Sequence, residues 1–340
     1  MCTEAVEPTH ATRKPGSAWR RLTSKPWWPV ATRTVSVLFA LLVLGVVAYL
    51  AREVDWPAVI KSLRAYSART LLAAAVLAAT SYAVYCTYDL IGRYQTRHEL
   101  RTLQVAAVAF ISYAFNLNLG SLVGGVAFRY KLYSGLGLPA GLITRVLALS
   151  LLTNWLGYCF LAGTVFLVRP LVLPADWRLD GLQVLGAALL LVALAYLGWC
   201  FVAKQRVWHV RGQALDLPSG RMALLQLLVS SINWLLIGGM VYTLLQFRID
   251  YPTVLGALLL ASVAGLITHV PGGLGVLEAV FVALLSDRMA QGELLAALLG
   301  YRVIYYLAPL VLAAILYFVV SARARRADAA VAANSHPGAR

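Results

Sequence analysis

The sequence predicts an all-α polytopic membrane protein with about six full transmembrane helices and two re-entrant helical hairpins arranged as an inverted repeat. Three observations lead to this fold class. First, 61% of the 340 residues are hydrophobic and 13% are charged, and the mean hydropathy of +0.75 is far above that of soluble domains. Second, six apolar stretches are each long enough to cross a bilayer. Third, two further apolar stretches are interrupted by glycine or by proline and glycine.

The six uninterrupted stretches each approach or exceed the length that a helix needs to cross the hydrocarbon core. The first follows a long polar tail, so we interpret it as a retained span rather than a cleaved signal peptide. The predicted spans are residues 34–51, 70–91, 142–168, 182–203, 222–247 and 293–320.

The two interrupted stretches cover residues 103–138 and 253–286, and their arms of about 13–17 residues are short for full crossings. Proline removes a backbone donor, and glycine is costly inside a helix. Irregular backbone at membrane depth is tolerated only where it is buried in protein or lines a wet cavity. We therefore interpret both stretches as re-entrant hairpins. Their breaks are expected at Gly120, Gly124 and Gly125 in the first, and at Pro271, Gly272, Gly273 and Gly275 in the second.

Basic residues set the predicted topology, because Lys and Arg concentrate in cytoplasmic loops. The basic N-terminal tail, residues 1–33, is placed in the cytoplasm. The C-terminal tail, residues 321–340, is placed on the same side and is expected to be disordered. Residues 34–320 then form a single transmembrane domain, and an amphipathic helix over residues 57–67 lies on the outer surface.

This topology makes two parts of the chain inverted copies of each other. Residues 70–168 and residues 222–320 each read as a span, a hairpin and a second span, but they run in opposite directions across the membrane. Inverted repeats with paired broken helices are typical of secondary transporters, which bind their substrate at the repeat interface.

Several function classes are excluded by composition and motifs. The net charge of +15 is spread beside apolar spans, so we attribute it to membrane orientation rather than to nucleic-acid binding. The four cysteines are isolated, and no metal site or cofactor is predicted. The glycines of the second break are not followed by the lysine of a phosphate loop, and no hydrolase motif is present.

The second hairpin and the last span carry the sharpest candidate residues. A carboxylate at membrane depth is costly, which makes Glu278 a functional candidate or a partner for an arginine. Arg302 is too deep to reach the interface easily, and a pairing with Glu278 or with a phosphate would explain its presence. Tyr305 and Pro309 share its helix face, and Pro309 leaves the Tyr305 carbonyl without its helical donor. His269 precedes the break and is a candidate proton relay or a structural histidine.

The first hairpin supplies the complementary candidates. Arg129 suits bidentate capture of a lipid phosphate or anchoring at the interface. Asn116 and Asn118 lie at the expected turn, where their amides would bind a headgroup or stabilise the turn itself. Asp89 in the second span is followed by Arg93 at i+4, which favours an interfacial ion pair.

Three motifs resemble the transmembrane flippase domain of the lysylphosphatidylglycerol synthase/flippase family, in the stand-alone form without the cytosolic aminoacyltransferase domain. The resemblance covers roughly residues 34–320. It rests on residues 116–129 (Asn-Leu-Asn-Leu-Gly-Ser-Leu-Val-Gly-Gly-Val-Ala-Phe-Arg), on residues 271–275 (Pro-Gly-Gly-Leu-Gly) with Glu278, and on Tyr301-Arg302 followed by Tyr305, Tyr306 and Pro309.

The resemblance implies an inner-membrane translocator for an anionic or aminoacylated phospholipid, with its headgroup bound between the two hairpins. The expected partners are membrane phospholipids, a separately encoded lipid-synthesising enzyme and, in a homo-oligomer, further copies of the chain. The alternatives are a lipid-modifying transferase component and an accessory subunit of a lipid synthase. Since no counterpart of the cytosolic domain is present in this sequence, the expectation is a transporter rather than an enzyme.

Overall fold

The computed structural model describes residues 66–168, 171, 181–203, 207–210, 213–268 and 271–319, with isolated positions 57, 60, 61 and 64. The predicted first span, both tails, most of the surface helix over residues 57–67, and His269 lie outside the described residues.

The described chain is almost entirely helical. Two π-helical segments, Ser121–Ala127 and Arg302–Leu307, and a 3₁₀ turn, Pro271–Gly273, interrupt the α-helices. Strands β1 (Val207–Val210) and β2 (Gln213–Asp216) form a small antiparallel ribbon, with Val207 opposite Asp216. The helices are α1 (Ala68–Thr96), α2 (Thr102–Leu119), α3 (Phe128–Gly135), α4 (Ala140–Val168), α5 (Leu182–Val202), α6 (Gly220–Leu244), α7 (Tyr251–Thr268), α8 (Val276–Leu285) and α9 (Gln291–Tyr301).

Seven helices in the described part are long and apolar enough to cross a membrane, counting α9 with its continuation as one helix, Gln291–Val319. Five of them match predicted spans to within a few residues. The other two are the first arms of the hairpins, α2 and α7, each of 18 residues. The predicted arm length of 13–17 residues is therefore too short for these arms, because helical hydrogen bonding continues to the residue before each break. At 1.5 Å per residue they are about 27 Å long.

Helices α1 and α6 pack against each other in opposite directions. The Tyr66 hydroxyl, just before α1, donates to the Leu244 carbonyl at the end of α6 over 2.8 Å. Midway, the Ser81 hydroxyl donates to the Asn233 amide oxygen over 2.7 Å. Since residue numbers rise along α1 as they fall along α6, the first helices of the two predicted units are antiparallel.

The two hairpins consequently enter from opposite faces. Hairpin 1 (residues 102–135) begins where α1 ends, and hairpin 2 (residues 251–285) begins where α6 ends. Their tips meet: a β-carbon added at Gly272 would lie 3.5 Å from the Leu117 carbonyl oxygen and 3.7 Å from that of Asn118. The described helices thus have the predicted inverted arrangement, with the two breaks brought together.

Hairpin 1 closes tightly on itself because of one glycine. A β-carbon at Gly124 would lie 2.2 Å from the backbone nitrogen of Asn116 and 2.2 Å from the carbonyl carbon of Phe115. The second arm therefore touches the backbone of the first, and a side chain at this position would separate them. Gly120, with φ of 85°, makes the turn that precedes the second arm.

Candidate functional site

The break in hairpin 2 is a glycine-rich turn whose carbonyl oxygens are bound by an arginine. Gly272, Gly273 and Gly275 all have positive φ, which only glycine adopts without strain. With this geometry the Gly272 and Gly273 carbonyl oxygens do not continue the regular pattern of helical hydrogen bonds. Arg302 donates from Nη1 to the Gly272 oxygen and from Nη2 to the Gly273 oxygen, both over 2.9 Å. The arginine therefore replaces the missing backbone donors.

The same guanidinium forms a bidentate ion pair with Glu278. Nε lies 2.5 Å from Oε1, and Nη2 lies 3.0 Å from Oε2. The side chains are 9% and 17% exposed, so the pair is largely removed from solvent. Glu278 is also in the first turn of α8, where the helix dipole favours a negative charge. The predicted pairing of Arg302 with Glu278 is confirmed.

Tyr305 faces a different set of partners from Arg302. Its hydroxyl is hydrogen-bonded to that of Ser81 over 2.7 Å and to that of Tyr113 over 3.0 Å. The segment from Arg302 to Leu307 is π-helical, so the regular α-helical face assumed for Arg302 and Tyr305 does not hold. Tyr305 is only 1% exposed, and its hydrogen bonds join the last span to α1 and α2.

Pro309 has the effect on its helix that the sequence predicts. Without an N–H, it leaves the Tyr305 carbonyl free, and the Tyr82 hydroxyl of α1 donates to that carbonyl over 3.0 Å. The neighbouring Tyr306 carbonyl accepts from Asn118 Nδ2 over 3.2 Å. The irregular part of the last span is thus hydrogen-bonded to both α1 and the tip of hairpin 1.

The two asparagines lie at the tip of hairpin 1, and both are partly exposed. Asn118 Nδ2 donates to the Ala114 carbonyl as well as to Tyr306. The Asn116 side chain lies against the second arm, where a β-carbon at Gly125 would be 3.0 Å from its Oδ1. The structure therefore places Asn118, Gly272 and Arg302 around the meeting point of the breaks.

Arg129 is buried at a second ion pair, on α3. Its Nε lies 3.1 Å from Asp89 Oδ2, and its Nη2 lies 3.1 Å from Asp89 Oδ1. The exposed fractions of the two side chains are 1% and 0%. The Ser150 hydroxyl accepts from Nη2 at 3.3 Å, and the Tyr133 hydroxyl donates to Asp89 at 2.9 Å.

The expected pairing of Asp89 with Arg93 is wrong. Asp89 turns inward toward hairpin 1, where the buried guanidinium of Arg129 requires a counter-charge. Arg93 is partly exposed and donates to the Thr102 hydroxyl over 2.6 Å. The sequence signal for this ion pair was a carboxylate within a predicted span. Its partner, Arg129, lies 40 residues further along the chain, and helical spacing cannot predict such a contact.

Each hairpin therefore has a charged residue on its second arm that is paired with a full-length helix. In hairpin 1 the arm carries the arginine and α1 the carboxylate. In hairpin 2 the arm carries the carboxylate and the last span the arginine. Within the described residues, no group of three or more His, Cys, Asp or Glu side chains lies close enough to hold a metal ion.

Comparison with known proteins identifies the family. Residues 34–313 match the family described as the lysylphosphatidylglycerol synthase TM region. This chain belongs to that family. The resemblance seen in the sequence is confirmed, and the chain is a multi-pass membrane protein.

Three relatives show how the family domain occurs. The chain is 45% identical over 306 residues to inner membrane protein YbhN of Escherichia coli K12, covering 89% of this chain and 96% of that protein. It is 30% identical over 299 residues to uncharacterized protein slr0712 of Synechocystis, covering 86% and 91%. A phosphatidylglycerol lysyltransferase of Staphylococcus haemolyticus is 25% identical over 289 residues, which are 82% of this chain but 33% of that protein. The same membrane region thus occurs alone and as part of a longer protein.

Proposed function

We propose that this chain is an inner-membrane translocator for an anionic or aminoacylated phospholipid, whose headgroup binds between the two broken-helix hairpins. One observation carries the proposal: hairpins that enter from opposite faces meet at their breaks beside a buried ion pair. Transporters with inverted repeats bind their substrates at such a junction. The acyl chains of the lipid stay in the bilayer while the headgroup passes the polar junction.

The ion pair between Glu278 and Arg302 fits the chemistry of such a headgroup. A lipid phosphate is a bidentate acceptor for a guanidinium, and an aminoacyl ammonium is a partner for a carboxylate. When a headgroup with both charges binds, the ion pair between Glu278 and Arg302 is replaced by two ion pairs with the headgroup. Neither buried charge is then left unpaired. Asn118 and the glycine carbonyls supply further polar contacts at the same place.

The distribution of charge supports an orientation for the hairpins. Exposed arginines at the base of hairpin 1 include Arg97 and Arg101, and Arg221 lies at the start of α6 on the same face. On the opposite face Arg248 pairs with Glu293 and Arg288 with Asp250, and Lys61, Arg64 and Arg69, before and at the start of α1, are further exposed basic residues. By the positive-inside rule, hairpin 1 opens to the cytoplasm, and both termini are cytoplasmic in this orientation.

The second candidate function is that of a component of a lipid-modifying transferase. The relative named phosphatidylglycerol lysyltransferase favours it, because a third of that protein matches this chain. On our proposal the matching region moves lipid and does not modify it, and a separately encoded enzyme makes the lipid.

The test is to reconstitute purified protein into vesicles that hold fluorescent phosphatidylglycerol, lysylphosphatidylglycerol or phosphatidylcholine. Leaflet exchange is measured by quenching, and the lipids are then analysed by mass spectrometry. The proposal predicts faster exchange of the first or second lipid than in empty vesicles, with no change of lipid mass. Exchange no faster than in empty vesicles for all three lipids contradicts it, and a modified lipid formed by the protein alone favours the transferase.

A further inference from the structure

A polar pocket lies at the base of hairpin 1, at the face where α1 ends. Its volume is about 870 Å³, and its lining combines basic and polar side chains. The lining includes Arg93, Arg97, His98 and Thr102, and Glu99 is its acidic residue. The pocket is at the opposite end of α2 from Asn118. At 1.5 Å per residue the separation along the helix is about 24 Å, so this is not the junction of the hairpins.

His98 is the unusual member of the lining. It is 9% exposed, and neither ring nitrogen has a hydrogen-bond partner among the described residues. Its ring packs edge-on against Tyr133, with centroids 6.3 Å apart. Burial, and then the neighbouring Arg93, lower the pKa of His98. A buried imidazole without a partner is costly. Because both ring nitrogens are buried, the ring has to rotate toward the pocket before an entering polar group can supply that partner.

The pocket adjoins an apolar groove between α1 and α6. The groove has a volume of about 330 Å³ and shares Leu90 and Tyr94 with the pocket. The rest of its lining is Thr87, Ile91, Met222 and Leu225. Tyr94 is 74% exposed, and exposed tyrosines are typical of the membrane interface. A basic pocket that continues into an apolar groove matches a molecule with a phosphate at one end and a hydrocarbon chain at the other.

We infer that this face carries a phospholipid-binding site, with the lipid phosphate held by Arg93, Arg97 and His98 and one acyl chain in the groove between α1 and α6. Arginine is suited to bidentate phosphate binding, and the histidine N–H adds a further donor. The lipid belongs to the leaflet on the hairpin 1 side. The site does not depend on the proposed translocation, because it would bind lipid whether or not the protein moves lipid across the membrane.

The test uses the purified full chain in detergent, titrated with inorganic phosphate and with short-chain phosphatidylglycerol. Arg97→Gln and His98→Asn each remove a phosphate contact and are expected to weaken lipid binding about tenfold or more. Arg221→Gln removes an exposed arginine on the same face outside the pocket and is the charge control. Leu225→Trp fills the groove, and Leu224→Trp, a neighbouring exposed leucine outside the lining, is its control.

Support requires that Arg97→Gln and His98→Asn weaken lipid binding, that Leu225→Trp weakens lipid but not phosphate binding, and that the two controls bind like wild type. Lipid affinity that is unchanged in Arg97→Gln and His98→Asn overturns the inference, as does a site that binds phosphate but ignores Leu225→Trp. This binding is measured in detergent, where no leaflet exchange takes place, so a failure of the translocation proposal is separable from a failure of this one.

Discussion

Replacing Arg129 by methionine tests whether hairpin 1 is held to α1 by its buried ion pair. The methionine retains an apolar chain of similar shape but removes both hydrogen bonds to Asp89. Asp89 is then an uncompensated carboxylate in a site where its side chain is 0% exposed. Breaking one partner of a buried pair costs about 3–5 kcal/mol.

Two variants make this prediction specific. Arg248→Met breaks the pair with Glu293, whose side chains are 52% and 47% exposed, so its cost is about 0–1 kcal/mol. The double variant Asp89→Leu with Arg129→Met removes both buried charges and should recover most of the stability that Arg129→Met loses. Stability is measured as thermal or denaturant unfolding in detergent. If Arg129→Met costs no more than Arg248→Met, the buried pair does not stabilise hairpin 1 and the reasoning fails.

Three further changes test the packing, the polar core and the surface. Gly124→Ala should destabilise the fold, because its β-carbon would lie 2.2 Å from backbone atoms, whereas Gly135→Ala, with nothing within 4 Å, should not; the melting temperatures of the two variants decide this. Tyr305→Phe should cost about 1–3 kcal/mol of unfolding free energy, because it leaves the buried Tyr113 hydroxyl without its partner, and an unchanged unfolding midpoint would contradict a stabilising role for the Tyr305 hydrogen bonds. At the surface, desolvation by burial raises the pKa of Asp250, but hydrogen bonds from Thr253, together with the charge of Arg288, outweigh it and lower the pKa below its usual value. Its stabilisation is therefore present above the ordinary carboxyl pKa and lost as pH falls through the lowered value, so the stability difference between wild type and Asp250→Asn should shrink in acid.

The architecture was largely readable from the sequence, because helix length and glycine placement are local properties. Five predicted spans are confirmed to within a few residues, and the break after Gly120 lies where the glycines indicated it. The Arg302–Glu278 pair was also predictable, since a deep arginine requires a counter-charge and few carboxylates were available. The ribbon of β1 and β2 was missed because it lies between the predicted spans 182–203 and 222–247, where no strand was predicted from the sequence.

The contacts that join the repeats were not predictable by the same means. Asp89 pairs with Arg129 on α3 rather than with its helical neighbour Arg93, because Asp89 and Arg129 are both buried and need a counter-charge. The network of Ser81, Asn233 and Tyr305 depends on how α1, α6 and the last span cross. The π-helical segment before Pro309 changes which side chains share a face, so regular helical spacing wrongly placed Tyr305 on the same face as Arg302.

The central claim, that the junction of the hairpins moves phospholipid, is tested most directly by one comparison of exchange rates. Vesicles holding a fluorescent anionic or aminoacylated phospholipid are prepared with wild type, Glu278→Gln or Glu293→Gln. The first variant neutralises the carboxylate at the junction, and the second neutralises an exposed carboxylate that is also paired with an arginine. We predict exchange about tenfold or more slower for Glu278→Gln, since loss of one charge-assisted contact of about 1.5–3 kcal/mol is worth at least that factor, and a wild-type rate for Glu293→Gln. Equal rates for all three proteins would contradict the account.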